Sequence, residues 1–227
     1  MCGRITLTKP DAETVQTAFD LPDAPPNLPA RYNIAPTQYV LVIAHDAQHQ
    51  NKAGIMRWGL VPRWFKGQNF QNPLFNARAE TIHEKNSFKD AFKKRRCLIV
   101  ADGFYEWQKT DTGKIPHYIR LKGAPLFGFA GIWERWHNAD TGDDLLSCSV
   151  ITCEPNNLMS PIHHRMPVIL QASDYDQWLR RDPNPDTNGL RALLRPLAEE
   201  FMEAYPVSTA VNRAATDDPS LINPVEF

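Results

Sequence analysis

Six short β-rich runs that do not alternate with helices constrain this chain more than any other feature. They are YVLVIA (39–44), AGIMRWGL (53–60), RCLIVA (96–101), HYIRL (117–121), FGFAGIW (127–133) and SCSVITC (147–153). Each has the length of a strand and is rich in β-branched or aromatic residues. A parallel α/β fold needs a helix between successive strands, so this order excludes it. The 19 prolines are spread along all 227 residues and cut the chain into many short elements. The expected fold is α+β. One domain, 1–227, is built on a twisted, mainly antiparallel sheet that curls into a barrel-like core with flanking helices.

The helices are predicted from their start signals. Thr8-Lys9-Pro10-Asp11 reads as a helix start, with the helix running to about Phe19. Ser173-Asp174-Tyr175-Asp176 reads as a capping box that opens a helix to about Arg181, and a further helix spans roughly 188–203. Residues 20–30 are a proline-rich loop, and KTDTGK (109–114) is a hairpin turn.

The formal net charge of −1 argues against a bulk electrostatic grip on duplex DNA. It leaves room for a local basic groove. Arg4, Arg31, Arg57, Arg63, Lys66 and Arg78 all fall in about the first third of the chain. The run Lys93-Lys94-Arg95-Arg96 reads equally as part of such a groove or as a solvated helix end. No apolar run approaches 18 residues and no signal peptide is evident, so an intracellular, cytoplasmic protein without a membrane contact is expected. Four cysteines occur, none in a C-x-x-C pair, which argues against structural zinc. Cys97, Cys148 and Cys153 are expected to be reduced and to act as small buried hydrophobes.

Cys2 is different. Directly behind Met1, it becomes a 1,2-aminothiol once Met1 is removed, with an amine and a thiol on adjacent carbons. Three further stretches carry polar groups that packing does not ask for: FNARAET (75–81), ADGFYEW (101–107) and IHHRMP (162–167). Taken singly, each has a plain explanation. Asn76 caps a turn, Glu106 pairs with an arginine, and His163-His164 is a hydrogen-bonded loop corner.

Together with MCGR (1–4), RYNIAPTQ (31–38), RWGLVPRW (57–64), AVN (210–212) and LINPVE (221–226), these stretches occur in an order that resembles the SOS response-associated peptidase (SRAP) family of abasic-site processing proteins. The resemblance runs from Cys2 to about Pro224. It implies an enzyme that crosslinks itself to abasic sites in single-stranded DNA, with lyase-like imine chemistry and with Met1 removed by its own peptidase activity or with help from a separate aminopeptidase. No cofactor and no metal are implied. Replication-fork junctions, a monomeric state and association with the nucleoid when bound to DNA belong to the same expectation.

The resemblance assigns roles by position. The Cys2 amine, with a reference pKa of about 7.7–8.0, condenses with the C1′ aldehyde of an opened sugar, and the thiol closes a thiazolidine ring. Glu106 is the general acid/base, its pKa raised by an apolar pocket of Phe104, Tyr105 and Trp107. Asn76 orients the reacting groups, and His163 helps to open the sugar and to reverse the link. His164 falls where the family varies and is read as structural. Arg78 matches the phosphate-binding arginine, with Arg4 and Arg165 as further anchors. Trp58, Trp64 and Pro36 stack or wedge near the lesion, and Phe65 narrows the second stacking surface.

Three other readings compete. An N-terminal-nucleophile glutamine amidotransferase also opens with Met-Cys-Gly, but here Arg4 and Ile5 follow and no further glycine is close behind. A non-covalent single-stranded DNA-binding module would treat intact and abasic strands alike. Zinc hydrolysis by His163, His164 and a carboxylate lacks an HExxH helix.

Overall fold

A computed structural model describes residues 2–67, 70 and 72–226. Along the chain run β1 (Ile5–Leu7), α1 (Ala12–Ala18), β2 (Arg31–Ile34), β3 (Tyr39–His45), β4 (Asn51–Trp58), β5 (Asn76–Arg78), α2 (Lys89–Lys94), β6 (Arg96–Ala101) and β7 (Gly103–Thr110). They are followed by β8 (Gly113–Leu121), β9 (Phe127–His137), β10 (Asp144–Cys153), β11 (Met166–Pro167), β12 (Ile169–Leu170), α3 (Tyr175–Leu179), α4 (Thr187–Ala192) and β13 (Met202–Pro206). All six β-rich runs are strands, and 109–114 spans the β7–β8 hairpin turn.

The core is a closed barrel of five strands. β3 pairs with β4 and with β6, β6 with β9, and β9 with β10, all antiparallel; β10 then closes the ring by a short parallel pairing with β4. Closure leaves no edge among these five strands. Every residue of β6 is buried, because the barrel interior covers one face and α2 and α3 pack against the strand from outside. Cys97, Cys148 and Cys153 are free and buried, as expected of small core residues.

A second antiparallel sheet, ordered β13-β8-β7-β1-β2, positions the N-terminus. β1 lies between β2 and β7, with Ile5 opposite Phe104 and Thr6 opposite Gly103, and the Tyr105 amide donates to the Arg4 carbonyl at 2.9 Å. Continuing this register sets Gly3 opposite Glu106. Asp102 fastens the start of this arrangement. Its carboxylate accepts from the Thr6 hydroxyl at 2.5 Å, the Thr8 hydroxyl at 2.6 Å and the Lys9 amide at 3.2 Å. Gly103 has no alternative here: a Cβ would come within 2.1 Å of the Tyr118 hydroxyl oxygen.

The helices are shorter than predicted. α1 starts at Ala12, and Asp11 caps it by accepting from the Thr14 amide at 2.9 Å, so Thr8 is not the cap. The box at 173–176 does not form; a 3-10 turn at Ala172–Asp174 leads into α3, whose cap residue Asp174 makes no side-chain bond. The predicted helix 188–203 is only α4 at its start, followed by irregular chain, a 3-10 turn and β13. Pro196 lacks the amide a helix needs there, and β13 instead pairs along β8 from Met202–Leu121 to Pro206–His117. Among the 93–96 cations, Lys93 and Lys94 end α2, while Arg96 is buried. Its guanidinium donates to the carbonyls of Phe92 at 2.9 Å, Lys93 and Trp178 at 2.6 Å each, and Arg180, tying two helix ends together.

Candidate active site

Three separated elements converge on the N-terminal strand. β1 brings Cys2 in from one side, β7 lays Glu106 alongside, and β5, parallel to β10 through Asn76–Val150, supplies Asn76. Cys2 is fully buried, and its carbonyl accepts a hydrogen bond from Asn76 Nδ2 at 2.7 Å. The other end of that amide, Oδ1, is buried without a partner among the described residues. Burial, and next the negative charge of Glu106, push the Cys2 thiol well above its ordinary pKa. Cys2 thus stays a thiol at neutral pH until a base takes its proton.

Glu106 is 2% exposed. Burial raises its carboxyl from 4.5 to about 7, against the opposing charge of the chain's amino terminus. The carboxyl is therefore balanced between acid and base near neutrality.

His163 is half-buried in the loop before β11. The Arg165 amide lies 3.0 Å from its Nδ1. The Arg165 carbonyl oxygen lies 3.1 Å from the same atom, so the Arg165 backbone receives either ring tautomer: Nδ1 accepts from the amide when bare and donates to the carbonyl when protonated. His164 stacks on His163, with ring centroids 4.4 Å apart and 29° between planes. Burial first, then the positive charge of the amino terminus, lower the His163 pKa, and His164 adds to the same direction. His163 is accordingly neutral at pH 7.

The expected DNA-binding residues divide. Arg78 is exposed at the end of β5, on the same face as Asn76 two residues earlier. Trp64 is 59% exposed. Phe65 turns into an aromatic cluster with Phe70 and Trp136, centroids 4.9 and 6.2 Å away. Pro36 is half-buried in a turn closed by the Gln38 amide on the Ala35 carbonyl at 3.1 Å. Its neighbour Thr37 has φ 77°, a left-handed conformation that is strained for a β-branched residue.

Two expectations fail and one is altered. Trp58 is wholly buried in the barrel wall, and its indole donates to the Phe75 carbonyl at 2.9 Å, so it offers no stacking face. Arg165 is also buried. It clamps Glu80 with two bonds at 2.7 and 3.0 Å and donates to the Thr152 carbonyl at 2.6 Å, which leaves it a scaffold for the His163 loop rather than a free phosphate anchor. Arg4 spends Nη1 on Asn33 Oδ1 and the Val211 carbonyl, both at 2.6 Å, and lies 5.7 Å from the Trp107 ring centroid.

Those bonds expose two residues that the sequence reading passed over. Asn33, fully buried, donates to the carbonyls of Val211, Arg213 and Thr216 at 3.3, 3.1 and 2.6 Å. Asn212 accepts from the Trp107 indole at 2.7 Å. RYNIAPTQ and AVN therefore join in one strap that supports Arg4 and the strand carrying Glu106. The signal was present as two polar positions inside apolar motifs. Their partnership across the chain was not. Met1, and with it the expected cut before Cys2, lies outside the described residues.

The family model described as SOS response associated peptidase (SRAP) matches residues 1–214. Abasic site processing protein YoqW of Bacillus subtilis (strain 168) is 42% identical over 225 residues, covering 98% of this chain and 99% of that one. Abasic site processing protein HMCES of Gallus gallus is 35% identical over 195 residues, covering 76% of this chain and 57% of its own length. A crystal structure of a protein from Bacteroides thetaiotaomicron superimposes with a TM-score of 0.86 at 27% identity, covering 99% of this chain and all of that one.

Proposed function

We propose that this chain, which belongs to the SRAP family, processes abasic sites in single-stranded DNA by linking to them covalently through Cys2. The observation that carries this reading is a residue-2 cysteine buried beside a carboxyl held at about 7. The relatives' shared name, abasic site processing protein, supplies the substrate class. An abasic sugar opens to an aldehyde at C1′, and an amine with a neighbouring thiol is the reagent that caps an aldehyde in a ring.

In this reading the same cluster first cuts the Met1–Cys2 bond, freeing the Cys2 amine. His163 gives a proton to the ring oxygen as the sugar opens, and the C1′ hydroxyl proton returns to the imidazole as the aldehyde forms. The amine attacks C1′ to give a carbinolamine, and protonated Glu106 gives its proton to the departing hydroxyl, which leaves as water. The Cys2 sulfur then adds to the imine carbon. The thiol proton restores Glu106, and the nitrogen keeps the one hydrogen it carried through the iminium, so the neutral thiazolidine forms with no net change in charge. Asn76 fixes the Cys2 carbonyl and turns its open Oδ1 toward the same space, where it accepts from the amine or a sugar hydroxyl. Trp64 stacks against bases beside the lesion, and Arg78 holds a phosphate. The capped aldehyde is thereby shielded from cleavage.

The test is a denaturing gel of protein incubated with an abasic single strand and, separately, with the intact strand, the N-terminus being checked by mass spectrometry. A heat-stable shift is expected only with the abasic strand and only in protein that lacks Met1. Cys2→Ala keeps the amine but loses the thiol. It should form only a labile imine, which borohydride converts to a stable link. A heat-stable link in Cys2→Ala without borohydride would overturn the thiazolidine step. Equal binding of both strands with no link would leave a non-covalent DNA-binding module.

A further inference from the structure

Most arginines of this protein are spoken for. Arg31 pairs with Asp217, Arg95 with Glu134, Arg120 with Glu203, Arg135 with Asp144, Arg165 with Glu80 and Arg180 with Asp176. Among the described residues, Arg57, Arg63, Arg78, Arg181, Arg191, Arg195 and Arg213 have no ion pair and no side-chain hydrogen bond. Two of these seven share one cleft. Arg191, on α4, and Arg195, just beyond it, line a cleft of about 460 Å³ whose other walls include Glu80, Glu154 and Asn188.

The cleft continues from the active site along one stretch of chain. Asn76 faces Cys2, Arg78 is two residues further on the same face of β5, and Ala79, whose amide donates to the Thr152 carbonyl at 2.9 Å, leads to Glu80 on the cleft wall. At about 3.3 Å per extended residue, the cleft begins within roughly 13 Å of Asn76. Its charge is favourable to an anion. Glu80 is already neutralised by the two-bond clamp of Arg165, and Arg78 is near enough to act on the same carboxylate. That leaves Glu154 as the one wall acid without an ion pair, against Arg191 and Arg195 on the walls and Arg78 just outside them. A guanidinium fork suits a phosphodiester better than a lysine does, because it can give two parallel hydrogen bonds to one phosphate.

We propose that this cleft is a second DNA-backbone site, in which Arg191 and Arg195 hold phosphates of the strand after it has passed the reacting sugar and Arg78. The inference rests on the abasic-site reading of the Cys2 cluster and extends it beyond the residues that the sequence motifs single out. It makes crosslinking depend on strand length on one side of the lesion.

The experiment compares wild type with Arg191→Ala/Arg195→Ala on two abasic strands: a long one, and one trimmed to the nucleotides adjoining the lesion. Crosslinking rate is measured against strand concentration at several salt concentrations. On the long strand the variant should need a higher concentration for half-maximal rate, with an unchanged maximal rate. Its salt dependence should be shallower by about 1.4 in log–log slope, the value for two phosphates lost from a single-strand contact. On the trimmed strand the two proteins should coincide. Arg191→Lys/Arg195→Lys, which keeps the charge, should recover most of the salt slope, and thermal melting should match wild type in both variants because the side chains touch no acid. Equal half-saturation and equal salt slope on the long strand would overturn the proposal. If wild type forms no link at all, the abasic-site reading fails first. Fluorescence anisotropy with the long strand then still decides the cleft: weaker binding by the alanine variant supports it, and equal binding refutes it.

Discussion

Glu106 makes the strongest claim on measurement, because its burial predicts a stability effect that needs no DNA. A carboxyl held at about 7 in the folded protein, against an ordinary 4.5, resists ionisation by about 3 kcal/mol at about 1.4 kcal/mol per pKa unit. Below pH 4.5 the group is protonated in both folded and unfolded chains, and the penalty is absent. Between 4.5 and 7 the unfolded chain binds fewer protons than the folded one, so stability falls as pH rises. Above 7 the full cost of a buried carboxylate is present. Glu106→Gln is uncharged throughout and escapes it. The variant should therefore gain on wild type by about 3 kcal/mol between pH 4 and pH 8, while its crosslinking is slowed for want of a proton donor. Urea denaturation of both proteins across this range, each with its N-terminus defined by mass spectrometry, measures the difference directly. Other titrating groups are common to both and cancel. A stability difference that stays flat with pH would refute the reasoning, since it would mean that Glu106 is ionised in the folded protein at low pH or reaches solvent.

The two tryptophans of RWGLVPRW should part cleanly. Trp64→Ala should weaken binding of an abasic strand by about 1–3 kcal/mol, measured by anisotropy, with an unchanged melting temperature. Trp58→Ala should instead cost about 3–5 kcal/mol of stability in urea denaturation, through the hole left in the barrel wall. For His163, NMR titration of the ring Cε1–H should give a pKa below 6.5, because burial and the nearby positive charges disfavour the imidazolium. His164→Ala should move that pKa upward, and with it the acid limb of the crosslinking pH profile; an unmoved profile would leave the stack without influence on the reaction.

What the sequence made legible was local. The strand runs were set by β-branched and aromatic clusters: five became staves of the closed barrel, and HYIRL became β8 of the second sheet. The position of Cys2, the acid in GFYEW and His163 in IHHRMP were visible for a similar reason: each is a polar group in a stretch whose neighbours argue for burial. The failure of the helix at 188–203 was also legible, since Pro196 forbids it. The capping box at 173–176 failed differently. A 3-10 turn reaches those residues first and leaves Asp174 with the wrong backbone to cap.

The misassigned site residues have a common cause, which is distance along the chain. Trp58 and Trp64 are six positions apart and chemically identical. They differ because β4 closes the barrel on β10 at the Trp58–Cys148 pair, a partner ninety positions away, while Trp64 follows Pro62 out of the strand. Arg78 and Arg165 both sit beside a predicted catalytic residue. Only Arg165 meets Glu80, 85 positions away, and is used up there. Arg4 is bound by Val211, 207 positions away. In each case a cation or an aromatic ring near the reacting groups became scaffold because the fold brought it a partner that the local motif does not contain. The free ones are those for which no partner arrived. By that criterion Arg191 and Arg195 belong with Arg78, although no motif marks them, and the salt dependence of crosslinking on a long strand is where their equivalence would be seen.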